Sequence, residues 1–205
     1  MMKAMAQAPT SNTIVGLFIV SDFQGLHIIH NGIKISTTTG SIELIPCNQS
    51  LKDCQTGILV LEEDCWQVLS SQPILKHTEH HPIRVMTELI DQKPLHPGEV
   101  ITRGNQWLAI VYDLDKSPIC QPEWITQSLR QILALTETHK ISSIMLPLLG
   151  STHGGLAWDK SLGLLMDALH HHGGTYLKRV ILLVEDKHLK KLTQHLVDEN
   201  KPRQE

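Results

Sequence analysis

A strong net charge, a long apolar run and a paired-cysteine spacing are all missing from this chain, and each absence removes a class of function. The formal charge is −3 over 205 residues, so no global basic field draws a nucleic-acid backbone, and no nucleic acid is expected as a partner. The most apolar early stretch, Thr13 to Val20, is far too short to span a bilayer. Only Lys3 precedes it, and it runs into Ser21-Asp22 with no small-residue cleavage site, which argues against a secretory leader. The expectation is a soluble, cytoplasmic protein with no membrane association. Cys47, Cys54, Cys65 and Cys120 make neither a CxxC pair nor a regular framework, so reduced, structural thiols are expected.

What is present suffices for one core. Hydrophobic residues make up 41% of the chain, and the length favours a single compact domain. We read residues 1–12 and 200–205 as tails and 13–199 as the domain. Within it, 13–61 is β-rich, and either completes the main sheet or forms an N-terminal extension. Leu26-His-Ile-Ile-His30, Asn31-Gly32 and Ile33-Lys-Ile35 carry a hairpin signature, because Asn-Gly accepts the positive φ of a type I′ turn. Ser41 to Ile45 and Gly57 to Leu61 continue it as further strands of an antiparallel meander. Ile83, Met86 and Ile90 suit a short helix after Pro82.

From residue 99 onward strands alternate with helices. Trp107 to Tyr112 reads as a buried strand, and Pro122 opens a helix at a position where its missing N–H costs nothing. Ile125, Leu129, Ile132 and Leu133 line one helical face; Ile141 to Leu146 is the next strand. Trp158, Leu162, Leu165, Met166 and Leu169 mark a second helix, stopped by Gly173-Gly174. Val180 to Val184 is a strand, and Leu189, Leu192, Leu196 and Val197 define a last amphipathic helix. Such alternation implies an α/β fold with a largely parallel sheet covered on both faces.

Residues 147–156 join a strand to a helix through Leu146-Pro-Leu-Leu-Gly-Ser-Thr-His-Gly-Gly-Leu156. In open α/β sheets ligands sit beyond the carboxyl ends of strands, where helix N-termini offer unpaired N–H groups and a positive dipole end to phosphate. Gly150, Gly154 and Gly155 allow close backbone approach to an anion; Ser151, Thr152 and His153 add side-chain donors. The alternative reading is a tight connection and nothing more. The loop is neither a Walker loop, lacking Gly-Lys-Ser/Thr, nor a GxGxxG fingerprint.

The segment from Pro97 to Leu196 resembles the C-terminal half of a macrodomain. Pro97-Gly-Glu-Val-Ile-Thr102 is similar to that family's Gly-x-Ala-x-x-Thr stretch, and Ile144 to Leu156 resembles its strand and diphosphate loop. Arg179 to Val184 with the following helix looks like its last strand and helix. The resemblance implies a macrodomain-like three-layer α/β/α fold with a mixed, largely parallel central sheet. It also implies binding of ADP-ribose or a related nucleotide, with Gly150, Ser151, Thr152, His153, Gly154, Gly155 and Leu156 around the diphosphate and distal ribose. Gly154→Glu is expected to abolish binding while leaving the fold intact. Ser151-Thr152 stands where the family has Thr-Gly, the acidic Leu61-Glu-Glu-Asp64 stands where it has Asn-Ala-Asn, and no Gly-Gly-Gly-Val loop follows. The family's catalytic Asn thus has no counterpart, so a binding module without a cofactor is expected. The alternatives are an ADP-ribosyl hydrolase in which a water held against the diphosphate replaces a side-chain base, supported by an acid among residues 62–64 near the distal ribose, and a protein-interaction module that kept the fold without the ligand.

Other candidates have plainer readings. His77-Thr-Glu-His80-His81 lacks a second ligand pair, so no metal site is expected. His170, His171 and His172 read as a solvated helix end, and Glu62, Glu63 and Asp64 as a solvated strand end. Trp158 reads as core, Lys187, Lys190 and Lys191 as the wet face of the last helix, and neither Cys65 nor Cys120 as a nucleophile.

Overall fold

The computed structural model describes residues 32–48, 57–69, 93–185, 188–192 and 194. In chain order the elements are β1 (Ile33–Ser36), β2 (Ser41–Asn48), β3 (Ile58–Asp64), β4 (Val100–Arg103), β5 (Gln106–Tyr112), α1 (Pro122–Thr138), β6 (Ser143–Pro147), α2 (Trp158–His170) and β7 (Arg179–Val184). Residues 188–192 are helical. The tails, the 26–30 strand, the helix expected after Pro82 and the 77–81 histidine cluster lie outside the described residues.

The strands form one seven-stranded sheet in the order β1-β2-β7-β6-β3-β5-β4. Pairing is parallel from β2 through β7, β6 and β3 to β5, and antiparallel at the two edges, β1 on β2 and β4 on β5. The expected meander is therefore only half correct. Residues 33–48 do form an antiparallel pair, but β3 leaves it and inserts between β6 and β5. Its composition explains why: Ile58 and Val60 are buried and Leu59 and Leu61 partly so, which suits a strand covered on both faces and not an edge. Strands β1, β2 and β3 are thus members of the one seven-stranded sheet.

Period-two alternation sorts side chains between two apolar layers. Trp107, Ala109 and Val111 of β5 join Val60, Val180, Leu182 and the buried stripes of α1 and α2 in the main core. Leu108 and Ile110 point to the opposite face, where they meet Cys65 with Leu61, Trp66, Leu95 and Ile101. Helix α1 buries Ile125, Leu129, Ile132 and Leu133, the predicted stripe, with Pro in its first turn. It ends without glycine. Lys140 takes a positive φ of 55°, its N–H donates to the Glu137 carbonyl at 3.2 Å, and the Ile141 N–H donates to the Thr136 carbonyl at 2.8 Å. Those two bonds are a Schellman closure.

The last turn of α2 corrects one expectation. His170 and His171 are exposed, but His172 is buried, with Nε2 3.5 Å from Glu137 Oε1. Glu137 also accepts the N–H groups of Thr175 and Tyr176 at 2.8 and 3.0 Å. The C-terminus of α1 thus ties down the turn into β7, and that packing draws His172 out of solvent.

Ile132 is fully buried in the main core. Ile132→Ala should therefore cost about 2–5 kcal/mol, from lost transfer energy plus the cavity left behind. Urea denaturation checks this: the midpoint should fall with the slope unchanged.

Candidate functional site

The site follows from where chain connections reverse. From β3 the chain proceeds to β4 and β5 on one side of the sheet, and from β6 it proceeds through α2 to β7 on the other. The crevice between the carboxyl ends of β3 and β6 is thus a topological switch point, the place where open α/β sheets bind ligands. The 148–157 loop and the acidic end of β3 both open into it.

Beneath the loop, Leu148 and Leu149 are buried, and the Ser161 hydroxyl of α2 donates to the Leu149 carbonyl at 2.8 Å. The Leu156 N–H closes the turn on the Gly150 carbonyl at 3.1 Å, and the Ser151 hydroxyl donates to the Leu148 carbonyl at 2.7 Å. Two glycines are required by the seat. Gly150 has φ +82°, and a Cβ there would lie 2.5 Å from Ile125 Cδ1 and 3.0 Å from Cys120 Sγ. A Cβ on Gly154 would fall 2.5 Å from Cys120 Cβ and 2.8 Å from both the Gly150 carbonyl oxygen and Tyr112 Cε1. Gly154→Glu is therefore not the clean binding probe expected from sequence, because it would lever the loop off its floor. Gly155, with φ +68° and open space around its Cβ position, is the exposed glycine.

The acidic run at the end of β3 is not a solvated strand end. Glu63 and Asp64 are fully buried. Glu63 accepts the N–H groups of Asp64 and Leu69 at 3.0 and 3.1 Å; Asp64 accepts those of Trp66 and Leu69 at 2.7 and 2.9 Å. Both serve the turn that follows. Glu62 lies on the face opposite to Glu63, and the register shift between Glu63 and Asp64 takes Asp64 off Glu62's face; Glu62 reaches the loop, where its Oε1 accepts the Gly150 N–H at 2.5 Å. Tyr112 and Thr152 stand close enough for their hydroxyls to favour the charged form of the same carboxylate. Tyr112 is fully buried, and its hydroxyl also accepts the His153 N–H at 3.3 Å, with the two rings edge to face at 5.9 Å. Thr152 stands where the resemblance implies glycine, and its side chain bears on the Glu62 carboxyl.

Burial pushes the Glu62 carboxyl above the usual carboxylate range, and the donors from Gly150, Tyr112 and Thr152 only partly offset it. Burial, together with the Glu62 charge, also raises Tyr112 well above the usual phenol range and Cys120 to about 11. Cys65 is held at about 11 by burial and then by Asp113 and Asp64. Neither thiol supplies a thiolate at neutral pH, and Cys47, Cys65 and Cys120 are buried free thiols.

Nothing among the described residues accepts from the N–H groups of Thr152, Gly154 and Gly155. Helix α2 begins immediately beyond, at Trp158, with no side-chain cap from Ala157. Trp158 is half-buried against the core and stacks on His188 at 6.3 Å. Lys190 and Lys191 are exposed. Among the described residues no cluster of three His, Cys, Asp or Glu side chains is placed to hold a metal, and no helix is long and apolar enough to cross a membrane. A groove of about 750 Å³ lies elsewhere, between α1 and α2, lined by Arg130, Leu133, Glu137, Leu164, Asp167 and His172 among others.

Two stability measurements test this geometry. Gly150→Ala should cost about 2–4 kcal/mol from left-handed strain plus overpacking, whereas Gly155→Ala should cost only about 1 kcal/mol. Glu62 holds its proton more tightly folded than unfolded, so its contribution is complete below the unfolded pKa and is lost as pH rises through the folded one. Glu62→Gln should then leave the thermal midpoint unchanged in acid and raise it at neutral pH and above.

No family model matches the sequence, and no curated protein does. Solved structures do match. A macrodomain mutant of Oceanobacillus iheyensis with ADPR aligns at TM-score 0.59 and 15% identity, over 82% of this chain and 98% of that one. The macrodomain of the same organism with ADP gives TM-score 0.59 and 14% identity, over 82% and 96%. The macrodomain of Thermus aquaticus DarG gives TM-score 0.50 and 16% identity, over 69% and 97%. The likeness takes in nearly the whole of each neighbour and agrees with the mixed sheet built here: the chain has the three-layer α/β/α fold of a macrodomain.

Proposed function

We propose that this protein binds ADP-ribose or a related phosphorylated nucleotide in the crevice between β3 and β6. Gly150, Ser151, Thr152, His153, Gly154, Gly155 and Leu156 form the loop that takes the phosphates. The observation that carries this reading is the set of backbone donors left open by Thr152, Gly154 and Gly155, just ahead of a helix start to which Ala157 gives no side-chain cap. Exposed N–H groups beside a positive dipole end suit a diphosphate. Neighbours of the same fold hold ADPR and ADP, which supports this ligand class.

A second reading, ADP-ribosyl hydrolase, draws support from Glu62 alone. A carboxyl whose pKa is raised by burial toward neutrality suits general acid or base work, and Glu62 lies against the loop. Glu63 and Asp64 are occupied with backbone donors. If turnover of an ADP-ribosylated substrate is found, Glu62→Ala should abolish it, and Asp64→Ala should act through stability instead.

Thermal denaturation with ADP-ribose, AMP, ATP and NAD tests the binding reading. A ligand at about 100 times its Kd stabilises by about 2.7 kcal/mol, a shift of a few degrees for a domain of this size. ADP-ribose should produce that shift, and Gly155→Asp should remove it by placing a negative charge at the loop mouth, because Asp tolerates the left-handed backbone. No shift with any of the four at millimolar concentration would leave the loop a structural turn and direct attention to protein partners.

A further inference from the structure

An anion cradle ordinarily presents donors and keeps negative charge away; this one holds a carboxylate against its own backbone. Glu62 accepts the Gly150 N–H beside the hydroxyls of Tyr112 and Thr152, and no Lys or Arg among the described residues pairs with it. Thr152 bears on both: its hydroxyl favours the charged form of Glu62, while its N–H is one of the open donors. A phosphate taken by Thr152, Gly154 and Gly155 therefore enters a loop that already carries a charge of the same sign.

We propose that Glu62 makes this site proton-linked, so that the loop takes up an anionic ligand together with a proton on the Glu62 carboxyl and rejects it when that carboxyl is ionised. The proposal rests on the nucleotide-binding reading above. Like charges sharing a partly desolvated site raise one another's cost of ionisation, and Glu62 is already displaced in that direction by burial. The proton comes from solvent. A protonated Glu62 keeps a carbonyl oxygen for the Gly150 N–H and gains an O–H donor, so the change also turns an acceptor toward the role a phosphate needs.

Three other titratable groups face Glu62 among the described residues. Tyr112, from β5, and Cys120, from the segment before α1, both stay protonated through neutral pH. His153, exposed on the loop, is the remaining one, and the test must separate it from Glu62.

The experiment is calorimetric titration of the full chain with ADP-ribose between about pH 5.5 and about pH 8.5, in two buffers of different ionisation enthalpy. ADP-ribose lacks the monoester phosphate whose second ionisation falls near pH 6, so its own charge holds steady. Wild type should take up close to one proton per ligand, and its affinity should fall by up to about tenfold per pH unit as Glu62 ionises. The dependence should survive His153→Gln and vanish in Glu62→Gln, whose amide oxygen still accepts the Gly150 N–H. The proton count on wild type needs no variant, so a misfolded Glu62→Gln would not spare the idea. Binding without proton uptake, or a pH dependence that persists in Glu62→Gln, overturns the proposal and leaves nucleotide binding standing. No binding of ADP-ribose by either protein at any pH overturns both.

Discussion

Because β3 carries parallel hydrogen bonds to β5 on one edge and to β6 on the other, all three strands deliver their carboxyl ends to one rim of the sheet. The geometry of the candidate site depends on that insertion. It brings Glu62, Tyr112 and the 148–157 loop together although they are separated by dozens of residues in sequence. It also opens the crevice, since the chain leaves β3 and β6 in opposite directions. Without β3 in the middle, the loop would be an ordinary strand-to-helix turn with nothing across from it.

The site is built by a contest between burial and hydrogen bonding. Desolvation pushes the Glu62 carboxyl toward its neutral form, and the donors of Gly150, Tyr112 and Thr152 pull it back. The first effect wins, with His153 adding only a smaller pull in the second direction. One residue further on, Glu63 and Asp64 lie deeper still, yet each is matched to backbone N–H groups of the following turn. Neighbouring acids in one strand thus part company: the pleat turns Glu63 away from Glu62, and the register shift between Glu63 and Asp64 turns Asp64 into the following turn.

Helices and interior strands were legible in the sequence because their signals are local. The stripe Ile125, Leu129, Ile132 and Leu133 and the run Trp107 to Tyr112 each specify burial by their own spacing. The loop was legible too, through its glycines and its place between a strand and a helix. Pairing was not. Gly57 to Leu61 announces a strand but not its neighbours, so adjacency in sequence suggested a meander where the chain crosses the sheet. Glu62 was missed as a loop partner for the same reason: its contact spans 88 residues, and three acids in a row look alike until alternation and the irregularity between Glu63 and Asp64 separate them. Lys140 shows a further limit, since a left-handed helix stop on lysine carries none of the glycine signal that marks such stops.

The close seat of Gly154 on Cys120 and Tyr112 has a consequence for how this loop can change over evolutionary time. Positions 112, 120, 150 and 154 form one steric unit, in which enlarging any member forces compensation in another. Thr152, His153 and Gly155 are exposed and stand outside that unit, so their side chains can be exchanged with far less disturbance of the seat. The loop therefore separates a foundation that resists drift from a mouth that is open to it, and a lineage carrying this fold can retune what the crevice accepts without first rebuilding the turn that frames it.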